Sequence, residues 1–257
     1  MRARRIALIG YGAIGGRVAS ILAERAPENH IVAVLLRAGS PRVVGHPVVH
    51  DIAGLRAAQP ELVLECAGQA ALASVGPAVL AAGIDLVVAS VGALADPEME
   101  SLLRGAAEET HARLVLASGA VGGLDALSAM RLAGPIRVLY RSRKPPAAWA
   151  GSIAESLVDL ENLQSPTVFA RTTARRAALD YPKNANVAAT IALSGAGLDA
   201  TECELVADPS VSANIHEIEA HGPTGEMFVR MEGVPDPDNP RTSMLTAYSM
   251  VRAAISG

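Results

Sequence analysis

The stretch RRIALIGYGAIGGRVASILAERA, residues 4–26, decides how the whole chain is read. It opens on an apolar run that fits a strand (4–10) and closes on a segment with helical spacing of apolar residues (14–26). Between them Gly10, Gly12 and Gly15 stand in the order G-x-G-x-x-G. Each glycine has a physical task there. Gly10 permits the tight turn, Gly12 lets backbone approach a pyrophosphate, and Gly15 lets the helix pack close to the strand. The helix start at Ala13 and Ile14 then offers unpaired N–H groups and the positive end of its dipole to phosphates. The pattern predicts a dinucleotide-binding unit. An arginine-led apolar start also has the look of a secretory leader, but Arg17 and four glycines interrupt the run, so a folded segment is expected instead.

Outward from this stretch the alternation continues. Strands are expected at 30–37, 61–68, 84–90 and 112–118, and helices at 77–83, ending on Gly83, and 96–110. Runs apolar on both faces, alternating with helices, predict an α/β fold: a Rossmann-type, doubly wound parallel sheet over residues 1–120. Ligands of such sheets lie at the C-terminal ends of the strands. That places Ala67 and Gly68 of CAGQA (66–70), SVG (90–92) and SGAVGG (118–123) around the dinucleotide. A site built for NAD usually carries an acid about 20 residues beyond the glycines. Here Arg37 stands in that place, and guanidinium groups pair with a 2′-phosphate, so NADP is expected to be accepted beside NAD.

Beyond SGAVGGLDAL (118–127) the texture changes. Strands are expected at 136–144, 202–209, 211–220 and 225–233, helices at 170–180 and 184–196, and a loop at 234–241. This predicts a second, α+β catalytic domain with a mixed or antiparallel sheet over 121–240, which would also carry dimerisation. The segment 241–257 reads as a helix returning to the first domain, with Thr242 or Ser243 as N-cap.

Composition narrows the function classes. The 257 residues are 50% hydrophobic but 3% aromatic, which suits a core of Ala, Val, Leu and Ile. A net charge of −4 without a basic block gives no electrostatic footprint for nucleic acid or an anionic membrane. No apolar run reaches the roughly 20 residues that span a bilayer. Two separated cysteines fit a reduced, cytoplasmic protein. No metal site is expected, because Pro47 and Val48–Val49 keep His46 and His50 off a helix and no third ligand is near. Cys66 reads as a buried thiol, and Ser118 lies outside any G-x-S-x-G elbow.

Residues 182–222, PKNANVAATIALSGAGLDATECELVADPSVSANIHEIEAHG, together with SGAVGGLDAL upstream and PDNPRTS (237–243) downstream, resemble the L-aspartate dehydrogenase family. The strings N-A-N, N-x-H-E-I and D-N-P-[KR]-T-S, in that order, carry the resemblance. It implies NAD(P)-dependent oxidative deamination of L-aspartate through iminoaspartate to oxaloacetate and ammonia, the reverse amination, and a homodimer. It implies His216 as the catalytic residue, with Asn214 in the same string, and Ala120 and Asn186 on the dinucleotide. The chain departs from the family at Ala170–Arg171, where a small glycine-containing turn is expected after Phe169, and at Arg37, where many members carry an acid.

The chemistry agrees with that resemblance. Deamination requires a proton to be taken from an amine and from water and later returned, which a histidine with pKa near neutrality performs. If 211–220 is a strand, Asn214, His216, Ile218 and Ala220 share one side, and His221 lies exposed on the other. Two substrate carboxylates call for cations; Arg141, Arg143, Lys144, Lys183 and Arg241 are the candidates, with Asn184 beside Lys183 at a helix start. A homoserine-dehydrogenase-like enzyme, a reductase of another imino acid and a non-catalytic NAD(P) sensor remain the alternatives.

Overall fold

The computed structural model describes residues 3–181, 186–237 and 239–256, with the side chains of Pro240 and Arg241 outside that description. Six parallel strands form the first sheet: β1 (Arg5–Ile9), β2 (His30–Leu35), β3 (Val48–Val49), β4 (Leu62–Glu65), β5 (Asp85–Val88) and β6 (Leu114–Leu116). Their order is β3-β2-β1-β4-β5-β6, so the sheet reverses direction of travel between β1 and β4. The helices α1 (Ala13–Arg25), α2 (Ile52–Ala57), α3 (Gln69–Ala81) and α4 (Pro97–Thr110) belong to the same unit. Ile6, Ala7, Leu8 and Leu64 are wholly enclosed, as strands covered on both faces require.

One helix is longer than its sequence suggests. Pro77 favours a helix start, yet α3 begins at Gln69 and carries Pro77 inside it. Packing outweighs the lost N–H: Leu72, Gly76, Val79 and Leu80 are all buried, and Gly76 lies against Leu72 and Leu103 where any Cβ would collide.

The second sheet is mixed. Its strands β7 (Arg137–Lys144), β8 (Thr167–Thr173), β9 (Glu202–Ala207), β10 (Ile215–Gly222) and β11 (Gly225–Glu232) run in the order β11-β10-β7-β9-β8, with β7 and β9 parallel and the other pairs antiparallel. Helices α5 (Leu124–Leu132), α6 (Ala154–Leu157), α7 (Ala174–Asp180) and α8 (Asn186–Ser194) accompany it, and β12 (Pro235–Asp236) pairs with β13 (Asn239–Ser243) in a short ribbon. The doubly wound parallel sheet and the mixed second sheet expected from the sequence are both present.

The stretch 234–241, expected as a loop, holds most of the β12–β13 ribbon, and two further boundaries differ from the sequence reading. The first half of the helix expected at 170–180 is strand, and α7 starts only after Thr173, whose hydroxyl accepts from the Arg176 N–H at 3.3 Å. Where a glycine turn was expected after Phe169, β8 bulges: its register jumps from Val168 opposite Val206 to Ala170 opposite Leu205. The extra residue, Phe169, sets its ring edge-on to Trp149 with centroids 4.8 Å apart. The second difference is that 211–214 is turn and the strand begins at Ile215.

Helix α9 (Met244–Ile255) follows the ribbon, with Ser243 Oγ accepting from the Leu245 N–H at 3.3 Å. Contacts divide the chain into two compact units, Met1–Gly119 with Thr246–Gly257, and Ala120–Leu245. In the first, Met250, Val251 and Ala254 join Ile6, Leu8, Val18 and Leu22 in one apolar core.

Candidate active site

In the first unit a cleft of about 660 Å³ opens past the ends of β1, β2 and β4, lined among others by Gly10, Gly12, Arg37, Ser40, Arg42 and Ala67. Gly10 has φ +86°, and a Cβ there would lie 2.6 Å from that of Ala67. A Cβ on Gly15 would strike the Gly10 carbonyl, so helix and strand meet only because none is present. Above Gly12 the nearest atom is Arg42 Nη2, 3.8 Å from where a Cβ would sit. The first intrahelical bond of α1 runs from Gly16 N–H to the Gly12 carbonyl at 2.9 Å, leaving Ala13, Ile14 and Gly15 with the unpaired N–H groups of a helix start. An open glycine backbone, a helix N-terminus and a guanidinium fit a pyrophosphate. Arg37, Ser40 and Arg42 also line the loop beyond β2.

The sequence reading missed the residue that shapes the adjoining loops. Glu65, at the end of β4, is wholly buried. Its Oε1 accepts from the N–H groups of Ala67 and Gly68, both at 2.8 Å, and from Ser90 Oγ at 3.0 Å, while Oε2 accepts from Ser90 N–H at 2.9 Å. One carboxylate thus ties the loop after β4, which borders the switch point between β1 and β4, to the loop after β5. The only hint in sequence is an acid closing an otherwise apolar strand, LVLE. Burial, and then the Glu65 charge, pushes the Cys66 thiol up, which favours the neutral thiol over the thiolate.

In the second unit β7 sets the chemistry by alternation. Its register with β10 pairs Ser142 with His216 and Tyr140 with Ile218, which puts Tyr140, Ser142, Lys144 and His216 on one face. Tyr140 Oη lies 2.8 Å from His216 Nδ1, with the two rings stacked at 24°. Lys144 Nζ sits 5.0 Å over the Trp149 ring, itself fixed by its Nε1–H donating to the Val206 carbonyl at 3.1 Å. His216 and Lys144 are each 5% exposed. Burial, and then the Lys144 charge, pushes His216 down to about 3, and burial pushes Lys144 down to about 8. A histidine near neutrality was expected; enclosure beside a cation accounts for the difference.

Two of the candidate cations are spent elsewhere. Arg141 and Arg143 point to the opposite face, where Arg141 binds Glu204 at 2.7 Å, Glu217 at 3.2 Å and Glu219 at 3.3 Å, and Arg143 binds Asp208 at 2.9 Å. His221 is on that side too, half-exposed and 3.3 Å from Glu226. Lys183 and Asn184 lie outside the described residues, as does the side chain of Arg241. Asn186 is the first residue of α8, and Ala120 is buried at the start of the second unit. Because β10 begins at Ile215, alternation does not place Asn214 beside His216; its carbonyl accepts from the Gly233 N–H at 2.9 Å. Among the described residues no cluster of three or more His, Cys, Asp or Glu could hold a metal, and no helix is long and apolar enough to cross a membrane.

Known proteins place this arrangement. The family described as "Aspartate dehydrogenase, C-terminal" matches residues 125–256, and that described as "Homoserine dehydrogenase, NAD binding domain" matches residues 10–117. An L-aspartate dehydrogenase of Ruegeria pomeroyi is 46% identical over 254 residues, covering 97% of this chain and 90% of that protein. The chain belongs to the L-aspartate dehydrogenase family. A second member, from Pseudomonas aeruginosa, is 42% identical over 96% of this chain and 95% of its own. The crystal structure of aspartate dehydrogenase from Thermotoga maritima superimposes with a TM-score of 0.78 at 24% identity, over 99% of this chain and 97% of that one, so the fold is shared. S. aureus homoserine dehydrogenase shares it more loosely, with a TM-score of 0.58 at 16% identity over 100% of this chain and 79% of that one. As a member of the L-aspartate dehydrogenase family, the chain uses its first unit as a nicotinamide-dinucleotide domain.

Proposed function

We propose that this L-aspartate dehydrogenase family member oxidises L-aspartate with NAD or NADP, giving oxaloacetate and ammonia through iminoaspartate, and runs the reverse amination. The observation that carries the reading is His216, enclosed beside Lys144 on one face of the second sheet and held at Nδ1 by Tyr140. The bound dinucleotide supplies the hydride acceptor. The chain's residues bind and move protons. Gly10, Gly12, Ala13, Ile14, Gly15, Ala67 and Gly68 hold the dinucleotide in the first unit; Ala120 and Asn186 are proposed contacts from the second.

Lys144 takes a substrate carboxylate, with Lys183, Asn184 and Arg241 proposed as further ligands and Asn214 as a partner of the reacting group. Burial is the larger cause that depresses His216 and the Lys144 charge the lesser; pairing Lys144 with a carboxylate offsets the second, so the imidazole gains some basicity once substrate arrives. His216 then takes a proton from the substrate amine and releases it to solvent, takes one from the water that adds to the imine, and returns that one to the departing ammonia. The test is consumption of NADH or NADPH in the presence of oxaloacetate and ammonia. Turnover confined to another oxo acid would remove aspartate from the proposal, and cofactor binding without any turnover would leave only a sensor.

Lys144 sets a pH dependence. Its folded pKa of about 8 lies below that of an ordinary lysine, so its charge is lost as pH rises through that value. In wild type kcat/KM for aspartate falls on that alkaline side. Lys144→Met raises KM for aspartate roughly 10–100-fold and removes that limb. An unchanged alkaline limb in the variant refutes the role.

Arg37, with Ser40 and Arg42, supports NADP use, because two guanidinium groups and a hydroxyl share the loop that would meet the 2′-phosphate. Arg37→Asp raises KM for NADP about 10–100-fold and leaves KM for NAD within about twofold. A wild type that refuses NADP would sink the idea. We further propose a cytoplasmic homodimer with no nucleic-acid or membrane partner, supported by the family resemblance and the net charge of −4. Sedimentation at micromolar protein tests the dimer.

A further inference from the structure

We propose that Tyr140 and Ser142 form a two-position hydroxyl switch that decides which ring nitrogen of His216 carries its proton. The inference rests on the reading of His216 as the acid–base residue. It starts from an oddity of the second sheet: Ser142 is 0% exposed, and its Oγ has no hydrogen-bond partner among the described residues. Buried polar groups without partners are rare and call for a reason. Ser142 stands directly opposite His216 in the β7–β10 register and two residues from Tyr140 on the same strand, so all three side chains share a face. Alternation along β7 sets the Ser142 hydroxyl next to the Tyr140 phenol on that face.

Tyr140 Oη is 2.8 Å from His216 Nδ1, so Nδ1 is engaged and Nε2 is the nitrogen left for substrate. A phenol both donates and accepts, and it has one proton to place. When that proton points at Nδ1, the neutral ring must carry its hydrogen on Nε2, and it can act only as a donor there. When it points instead at Ser142 Oγ, the ring's Nδ1–H donates to the phenol oxygen, and Nε2 presents its lone pair as a base. Deamination uses the second arrangement. A proton gained at Nε2 gives an imidazolium whose Nδ1–H stays on Tyr140, and losing it from Nε2 restores the base. The phenol keeps its own proton throughout, in line with the burial that pushes its pKa well above the ordinary range. No charge is created on Tyr140 or Ser142, and Ser142 Oγ acquires the partner it otherwise lacks. Tyr140 and Ser142 are positioning residues: they act through His216.

The tautomer of a neutral imidazole is read directly from its two nitrogen-15 resonances. In the full chain near neutral pH, with His216→Gln identifying the signal, wild type shows the Nδ1–H tautomer of His216. Ser142→Ala moves it to the Nε2–H tautomer, and Tyr140→Phe abolishes the preference. Removing an unpartnered Oγ spares the fold. In steady state Ser142→Ala lowers kcat for aspartate oxidation about tenfold with KM for aspartate within about twofold. Identical tautomers in wild type and Ser142→Ala overturn the switch, as does an unchanged kcat. Neither result touches the wider assignment, which falls only if His216→Ala retains turnover.

Discussion

Replacing His216 with alanine lowers kcat for aspartate oxidation by about 10²–10⁴-fold and leaves the dissociation constant for the dinucleotide within about twofold. The loss falls on kcat because the imidazole moves protons, whereas Lys144, which remains, holds the substrate. Binding of the dinucleotide is spared because His216 does not line the glycine cleft. A separate measurement guards against simple misfolding. In the folded chain His216 is pushed down to about 3, while an unfolded histidine titrates at its ordinary value near 6.5. Between those values the unfolded chain binds the proton and the folded one does not, so wild-type stability falls as pH drops through that window. The alanine variant lacks this dependence. A variant that turns over at the wild-type rate, or a wild type whose stability is flat across that window, would contradict the placement of a neutral, enclosed imidazole.

Glu65→Gln is the second large effect. The carboxylate accepts four hydrogen bonds from donors on two loops, and both its oxygens are in use. An amide has one acceptor oxygen, so whichever way it turns its NH₂ meets a donor: Ser90 N–H on one side, or Ala67, Gly68 and Ser90 Oγ on the other. Leaving donors of this kind buried and opposed costs about 2–4 kcal/mol. The melting temperature drops by roughly 5–15 °C. The freed loops are those that carry Ala67 and Gly68, so the dinucleotide also binds at least about tenfold more weakly. Thermal unfolding and a fluorescence titration read the two effects separately. Wild-type values in both would mean the carboxylate is held for some other reason.

How much of this was legible depended on whether the deciding interaction was local. The glycine loop was, because a turn, a close approach and a helix start are each written within six residues, Gly10 to Gly15. The strands of the first sheet were legible for a similar reason: burial on both faces leaves unbroken apolar runs. The second unit hid more. In RVLYRSRK the period of two separates Tyr140, Ser142 and Lys144 from Arg141 and Arg143, but which set faces His216 depends on pairing with β10, nearly eighty residues on. Three cations therefore looked equivalent in sequence when two were already bound by Glu204, Glu217, Glu219 and Asp208. Tyr140 went unremarked because its partner is distant in sequence, and Glu65 because its donors are backbone. Residues 170–173 of β8 read as helix because FARTTARR has no alternation to betray a strand, and the bulge at Phe169 breaks what register there is.

The placement of α9 carries a consequence for how the protein is made. Met250, Val251 and Ala254 complete the apolar core that Ile6, Leu8 and Val18 begin, so that core stays open while the whole of Ala120–Leu245 is being synthesised. The inserted unit is contiguous and can fold as soon as it leaves the ribosome, whereas the unit that starts the chain is the later one to close. For most of translation the parallel sheet is thus the exposed part of the nascent chain, and the finished inserted unit waits on it.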